Sequence, residues 1–455
     1  MQELLVKHEN KAAHISSYVL SFKADRLPSD VIHEVKRRIL DSTACAYGAL
    51  DSKVAKILIK ACSKVKSKFK ASVLGKKKPV FYEEAAFVNG ALVRYLDFND
   101  TYLSLEPAHP SDNIAPLIAV AEAYEKSGMD LILAIAIAYE IQCRLCDGAS
   151  LRVKGIDHVT YGAFSTACGA AILMDLNEKQ LENALSIAGV CNIATRQTRV
   201  GEMSMWKACA FSNAARQALF ACRLAKEGMT GPSPIFEGTK GFEILVSGPI
   251  NLKLPDAGEA PRKILETYIK PYPVEYHAQS AVEAAILFHK DGLSLNDIQS
   301  ITIHTHSAAY QIIGSEPEKW KPTSKETADH SLPYCTAIAL RDGNVTDQSF
   351  ERKNYRDPNM LRFLRKIRVV EDQRYSNDYP NSFGNRLEIT LMDGSKLVKE
   401  ALHPLGHPKN KMSDEQIFNK WRQLSKNHLS QEKIEAQIKN VMDLDKLPNL
   451  GSLFP

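Results

Sequence analysis

Chemistry-bearing side chains concentrate in a few places along the 455 residues. The densest is Asp97-Phe98-Asn99-Asp100-Thr101, followed by Glu106 and then His109-Pro110-Ser111-Asp112-Asn113. Four carboxylates, one imidazole and several hydroxyl and amide groups lie between Ala85–Val93, which reads as a buried helix, and the next helix start. A polar loop held by core helices is where catalytic groups are positioned. The same residues also suit an ordinary capping loop, with Ser111 and Asp112 at a helix start and Asp97 and Asp100 in water.

Four more clusters follow. Asp157-His158-Val159-Thr160 could be acid–base chemistry or a helix cap with Asp157 or Thr160 at the N-cap. Thr195-Arg196-Gln197-Thr198-Arg199 leads to Trp206-Lys207 at the start of an Ala-rich helix. A cation there is unfavourable unless an anion is present, although a lysine stem lying over Trp206 would also account for it. Lys270-Pro271-Tyr272-Pro273-Val274-Glu275-Tyr276-His277 fits a proline-stiffened site or a rigid linker with solvent-facing side chains. Asp329-His330-Ser331 fits a helix start.

Other motifs lead elsewhere. Cys143-x-x-Cys146 has metal or redox spacing, but it falls inside a helix and lacks a second pair, so it reads as structural. His304-x-His306 shares a strand face and reads as a solvent-facing pair. No phosphate-binding glycine loop is present.

The elements around these clusters divide the chain. Residues up to about 268 read almost wholly as helix. Leu27-Pro28-Ser29-Asp30 starts one, and another begins near Ser111-Asp112-Asn113 and runs toward Gly128. Asp130 is expected to cap Leu131–Cys146, which is apolar on nearly every face and therefore central. Further helices are predicted over 163–174, 178–190, 204–226 and 279–289. After residue 290 the pattern changes: 298–306, 366–370, 387–391 and 396–398 read as strands, the last two joined by a turn at Asp393-Gly394. Ser413-Asp414-Glu415-Gln416 is a capping box that reopens helix in the tail. The fold class is thus mainly α with α+β: an all-helical domain of residues 1–268 with 406–455, and a smaller α+β domain of 269–405.

Composition bounds the function. A net charge of +5 admits small anionic ligands and does not call for nucleic acid. The lysines at 64–68 and 76–78 read as solvated loops. Nine scattered cysteines suit a reducing cytosol. Met1–Lys7 lacks a signal-peptide core, and no apolar run reaches the ~20 residues a membrane helix needs, so a cytoplasmic protein is expected.

Taken together, these stretches resemble the MmgE/PrpD family, which includes 2-methylcitrate dehydratase, cis-aconitate decarboxylase and an iminodisuccinate epimerase. The similarity rests on Leu96–Thr101 with His109–Asn113, Asp157-His158, Trp206-Lys207, Tyr272–Gln279 and Asp329–Tyr334. It implies a homodimer, a smaller domain acting as a lid, and a cleft site with neither cofactor nor the iron–sulfur cluster of aconitase. Carried over by position, site residues fall on Asp97, Thr101, His109, His158, Lys207 and Tyr310, with Lys270 at the domain junction. Glu275, where the decarboxylase-like pattern has histidine, and the run through His277 look more like the dehydratases. The expected reaction is metal-independent dehydration of a small tricarboxylic acid. Decarboxylation is the alternative, with the epimerase or a non-catalytic member more distant.

Three carboxylates on a substrate call for several fixed cations, here Arg196, Lys207 and Lys270. His109 and His158 are expected as the acid–base pair, since imidazole titrates near neutrality. Asp97 would orient His109 or act as base. Thr101, Glu275, His277 and Tyr310 would bind substrate.

Overall fold

A computed structural model describes residues 10–62, 67–76, 78–201 and 203–450. Met1–Lys7, and Lys64, Lys66 and Lys77 of the lysine clusters, lie outside these residues, while Lys68 and Lys78 are exposed. Two apolar cores are present. One gathers side chains from Ala12 to Ile269 and again from Met412 to Leu450. The other gathers Val274 to Ile389. The fold is mainly helical with an α+β part.

The first core is built from α1 (Lys11–Ser21), α2 (Ser29–Gly48), α3 (Lys53–Ala61), α4 (Tyr82–Tyr95), α5 (Ile114–Ala123), α6 (Gly128–Gly148), α7 (Val159–Leu173), α8 (Glu178–Cys191) and α9 (Ala210–Lys226). Every residue of α6 from Leu131 to Cys143 is buried, as the apolar run Leu131–Tyr139 requires, and Glu140 and Gln142 are buried with it. Its neighbour α7 comes close because Gly169 has no side chain: a Cβ there would sit 2.9 Å from the Ala134 carbonyl oxygen.

Several element ends differ from the sequence expectation. The helix expected to reach Gly128 stops at Ala123, because Glu125 takes φ 53° and breaks it. Ser127, not Asp130, is the N-cap of α6. Asp130 sits at N3 and completes a capping box. The helix predicted over 204–226 divides at Cys209, its first part being a tight turn, Met205–Ala208, that carries Lys207.

The second core lies between α10 (Gln279–Lys290), α11 (Leu332–Asp342) and a four-stranded sheet. Its strands are β1 (Ile298–Thr305), β2 (Ile367–Glu371), β3 (Asn385–Leu391) and β4 (Lys396–Ala401), in the order β2-β1-β3-β4. β1 and β2 run parallel, and the other pairs are antiparallel. The β3–β4 turn uses Gly394 at φ 86°, as the Asp-Gly signal predicts. His304 and His306 do not form a solvent-facing pair. His306 is fully buried beyond the strand end, and its Nδ1 accepts from the Ala309 amide at 3.4 Å.

Two chain crossings join the cores side by side, where the Ile269 amide donates to the Gly406 carbonyl at 3.1 Å. The tail then returns to α2 through α12 (Asp414–Ser425) and α13 (Gln431–Met442). Buried Lys420 of α12 donates to Asp41 at 2.6 Å and to the carbonyls of Phe98 and Lys270 at 2.7 and 3.0 Å. The tail thereby fixes the backbone beside both Asp97 and Lys270. Among the described residues, no helix is long and apolar enough to cross a membrane.

Candidate active site

Between the two cores lies a cavity of about 240 Å³. Asp97, Thr101, His109, His158, Arg196, Lys207, Lys270, Glu275 and His277 all line it. Tyr310 does not. The helical turn after β1 leaves Tyr310 half-buried against the second core and directs Gln311 and Ile312 to the cavity instead.

Asp97 ends α4. It takes φ 52°, a left-handed conformation that aspartate tolerates better than most residues. The turn aims its carboxylate at three cations. Arg94 binds it from one helical turn back, Lys270 from 3.2 Å and Lys207 from 3.6 Å. Burial opposes its charge, but Arg94, Lys207 and Lys270 outweigh burial and hold the carboxyl well below the usual carboxylate range. Lys270 arrives because Thr101 and Tyr268 exchange backbone hydrogen bonds at 2.8 and 2.9 Å. The hydroxyl of Thr101 donates to the Ala108 carbonyl at 3.0 Å.

The remaining carboxylates of the opening cluster face elsewhere. Asp100 accepts from the Tyr139 hydroxyl and the Ser111 amide at 2.8 and 2.9 Å. Glu106 accepts from the amides of Leu151 and Arg152 at 2.7 and 3.0 Å, bracing the turn that carries Arg152 into the lining. Asp112 lies buried behind Arg94, accepts from Asn99 at 2.8 Å and is pushed by burial up to about 7.

His109 and His158 approach with ring centroids 5.8 Å apart. His109 Nδ1 donates to the Asp100 carbonyl at 2.7 Å, and its Nε2 accepts from Arg94 at 2.9 Å. Burial, then Arg94 and Lys270, hold this imidazole well below 6.5. His158, itself the N-cap residue of α7, is almost fully buried. Its Nδ1 lies 3.1 Å from Asp157, while Nε2 is buried without a hydrogen-bond partner. Arg199 Nε holds both Asp157 oxygens at 3.1 and 2.9 Å. Burial and then Arg199 push His158 down to about 3, outweighing Asp157.

Lys207 does not lie over Trp206. Trp206 is half exposed, whereas Lys207 is buried and reaches His330 Nε2 at 3.3 Å. The Lys270–Gln279 stretch is no solvent-facing linker either. His277 donates from Nδ1 to Glu275 at 2.8 Å, and the Glu275 amide donates to the Asp329 carbonyl at 3.0 Å. Burial would raise Glu275, but His277 outweighs it and holds the carboxyl at about 2. His277 Nε2 is buried and unpartnered.

Arg94, Arg152, Arg199, Lys319 and His330 complete the polar wall and were not among the expected site residues. Arg94 left one signal, a guanidinium directly after the apolar stretch Ala91-Leu92-Val93. Arg199 stood in the cluster leading to Lys207, and His330 in one that also suited a helix start. In all, seven lysines and arginines line the cavity against three carboxylates, Asp97, Glu275 and Glu316. Such a wall suits a ligand with several negative charges.

Donor atoms of Asp97, Asp329 and His330 lie within 4.8 Å of one another, a set that could hold a metal ion. A divalent ion there would face Arg94, Lys207 and Lys270, already on Asp97, so the set fits a metal poorly. Cys143 and Cys146 are buried free thiols within α6.

Comparison with known proteins agrees with this architecture. The MmgE/PrpD N-terminal domain matches residues 13–254, and the MmgE/PrpD C-terminal domain matches 272–445. The 2-methylcitrate dehydratase of Cupriavidus necator is 33% identical over 72% of each chain. A probable 2-methylcitrate dehydratase of Saccharomyces cerevisiae is 30% identical over 81% of this chain and 76% of its own. The 2-methylcitrate dehydratase of Salmonella typhimurium is 28% identical over 90% of this chain and 89% of its own. Two domain matches in order over almost the whole chain place it in the MmgE/PrpD family.

Proposed function

We propose that this protein is a hydro-lyase that eliminates water from 2-methylcitrate or citrate, giving 2-methyl-cis-aconitate or cis-aconitate, with side chains in place of a metal. One observation carries the reading: His158, with Nδ1 beside Asp157 and Nε2 unpartnered, lines a cavity walled by seven cationic side chains. A bare, oriented imidazole nitrogen is a base. A cationic wall binds a tricarboxylate and stabilises the negative charge that develops as carbon loses its proton. The dehydratase relatives support the same chemistry at the level of the family.

In this reading Arg196, Lys207 and Lys270 anchor carboxylates, with Arg152 and Lys319 beside them. His158 takes the carbon-bound proton. Asp97 keeps the cations in place, and His109 holds Arg94. Thr101, Glu275 and His277 provide hydrogen bonds to the substrate. The smaller domain serves as a lid. The active form is a homodimer, a reading supported by the exposed apolar side chains Val190, Ile193, Val200, Met205 and Trp206, all within residues 190–206.

The test offers purified protein 2-methylcitrate, citrate and cis-aconitate in turn, with and without a chelator. The expected result is chelator-resistant formation of a conjugated double bond, followed by ultraviolet absorbance. Carbon dioxide released from cis-aconitate would replace dehydration with decarboxylation. No turnover of any of the three would overturn the reading.

A further inference from the structure

We propose that His330, carried by the smaller domain, delivers the proton that the leaving hydroxyl needs, with Lys207 as its proton source and Asp329 as its positioning residue. The inference rests on the dehydratase reading above and assigns its acid. Hydroxide leaves poorly, so elimination needs a donor near the oxygen as well as a base near the carbon.

The lining histidines differ in what their second nitrogen can offer. Both nitrogens of His109 are engaged, by Arg94 and by the Asp100 carbonyl. His158 and His277 each have Nδ1 on a carboxylate and a bare Nε2, which accepts a proton but brings none. His330 also has Nδ1 on a carboxylate, Asp329 Oδ1 at 2.5 Å. Its Nε2 instead meets a proton donor, the Lys207 ammonium at 3.3 Å. Asp97 Oδ2 closes the triangle, 3.4 Å from His330 and 3.6 Å from Lys207. Among the described residues of the lining, His330 is thus the histidine whose second nitrogen meets an ammonium, which can give up its proton where the guanidinium on His109 cannot.

The surroundings make both groups stronger acids. Burial lowers Lys207 against the pull of Asp97 and Asp329, so its proton is less firmly held than on an exposed lysine. Burial and then Lys207 lower His330 as well. Lys325 also pairs with Asp329 at 3.6 Å. Lys207 and Asp97 belong to the larger core and His330 to the smaller, so the relay exists only where the two meet.

The step balances. The proton moves from Lys207 Nζ through His330 Nε2 to the substrate oxygen. The C–O bond breaks with its electron pair on that oxygen, and water forms. The C–H electron pair becomes the double bond, and His158 Nε2 takes the carbon-bound proton. Exchange with solvent resets both sites.

The experiment compares wild type, His330→Gln and Asp329→Asn on 2-methylcitrate in light and heavy water, each checked by thermal melting. Loss of a general acid costs about 10²- to 10⁴-fold in kcat. His330→Gln is expected to lose that much with little change in KM, while the carbon-bound hydrogen still exchanges with solvent. Asp329→Asn is expected to show a smaller kcat loss with exchange intact. A His330→Gln enzyme with normal kcat, or one that loses exchange along with elimination, overturns the assignment. Should His330→Gln fail to fold, Asp329→Asn decides: slower elimination with retained exchange supports the proposal, and unchanged elimination overturns it. Wild-type protein that turns over none of the acids overturns the dehydratase reading and this inference with it.

Discussion

His109 and His158 line the same cavity with ring centroids 5.8 Å apart, and they are in opposite states. His109 stands on the loop after α4, locked at both nitrogens by Arg94 and the Asp100 carbonyl. His158 stands at the start of α7, held at one nitrogen by Asp157 and bare at the other. Residue type and place in the cavity lining are alike, yet the hydrogen bonds leave one imidazole locked and the other with an unpartnered nitrogen. The pair teaches that an imidazole's role is decided by what its second nitrogen meets.

The largest effect should come from the charge that organises the His109 side. Asp97→Asn keeps the shape of the side chain but leaves Arg94, Lys207 and Lys270 without their shared counter-ion. Breaking a buried ion pair from one side costs about 3–5 kcal/mol. We expect loss of turnover together with a clearly lower melting temperature. An Asp97→Asn protein that melts like wild type would show that the cations are neutralised some other way.

The next effect separates the two histidines directly. His158→Gln removes the proposed base and should lower kcat about 10²- to 10⁴-fold with the fold intact. His109→Gln should act through Arg94, raising KM more than it lowers kcat. Steady-state kinetics of both variants on one substrate would check this. A larger kcat loss in His109→Gln than in His158→Gln would reverse the assignment.

Much of the candidate cavity lining was legible because residue type and spacing mark polar groups inside apolar surroundings. Asp97, His109 and His158 stood out in this way, and the apolar pattern of α6 foretold its burial. What spacing does not encode is direction. Asp97, Asp100, Glu106 and Asp112 form one cluster in sequence, but only Asp97 reaches the cavity lining, because the left-handed turn aims it there. Tyr310 shows the reverse: one helical turn directs Gln311 inward and leaves Tyr310 on the core. His330 meets Lys207 across 123 positions of sequence, a pairing that only the docking of the two cores creates. The change from helical to alternating periodicity after residue 290 falls inside the second core, which begins at Val274, whereas the pinning of Phe98 and Lys270 by Lys420 left no signal in the sequence.

Acid should expose the contrast as a stability effect. His158 titrates near 6.5 when unfolded and is pushed down to about 3 when folded. Between those values the unfolded chain binds a proton that the folded protein does not, so stability falls as pH drops. His109, also held low by burial and then Arg94, adds to the same slope. The melting temperature should therefore decline from about pH 6.5 toward pH 3. His158→Gln should flatten that decline, and an unchanged slope would mean that other groups carry it.

The smallest effect tests how finely the His158 side is tuned. Arg199 reaches both oxygens of Asp157 from a single Nε, at 3.1 and 2.9 Å. Arg199→Lys keeps the positive charge but replaces a planar donor with a compact one on a flexible stem. Asp157 should keep its charge and lose part of its orientation, so His158 would sample more directions. The expected outcome is a modest fall in kcat with KM and melting temperature near wild type. Arg199→Ala removes the charge too, and should cost more. If lysine and alanine variants fall equally, geometry rather than charge holds the dyad. If neither falls, Asp157 is fixed by its backbone alone, since its Oδ1 already accepts from the Val159 amide at 3.3 Å.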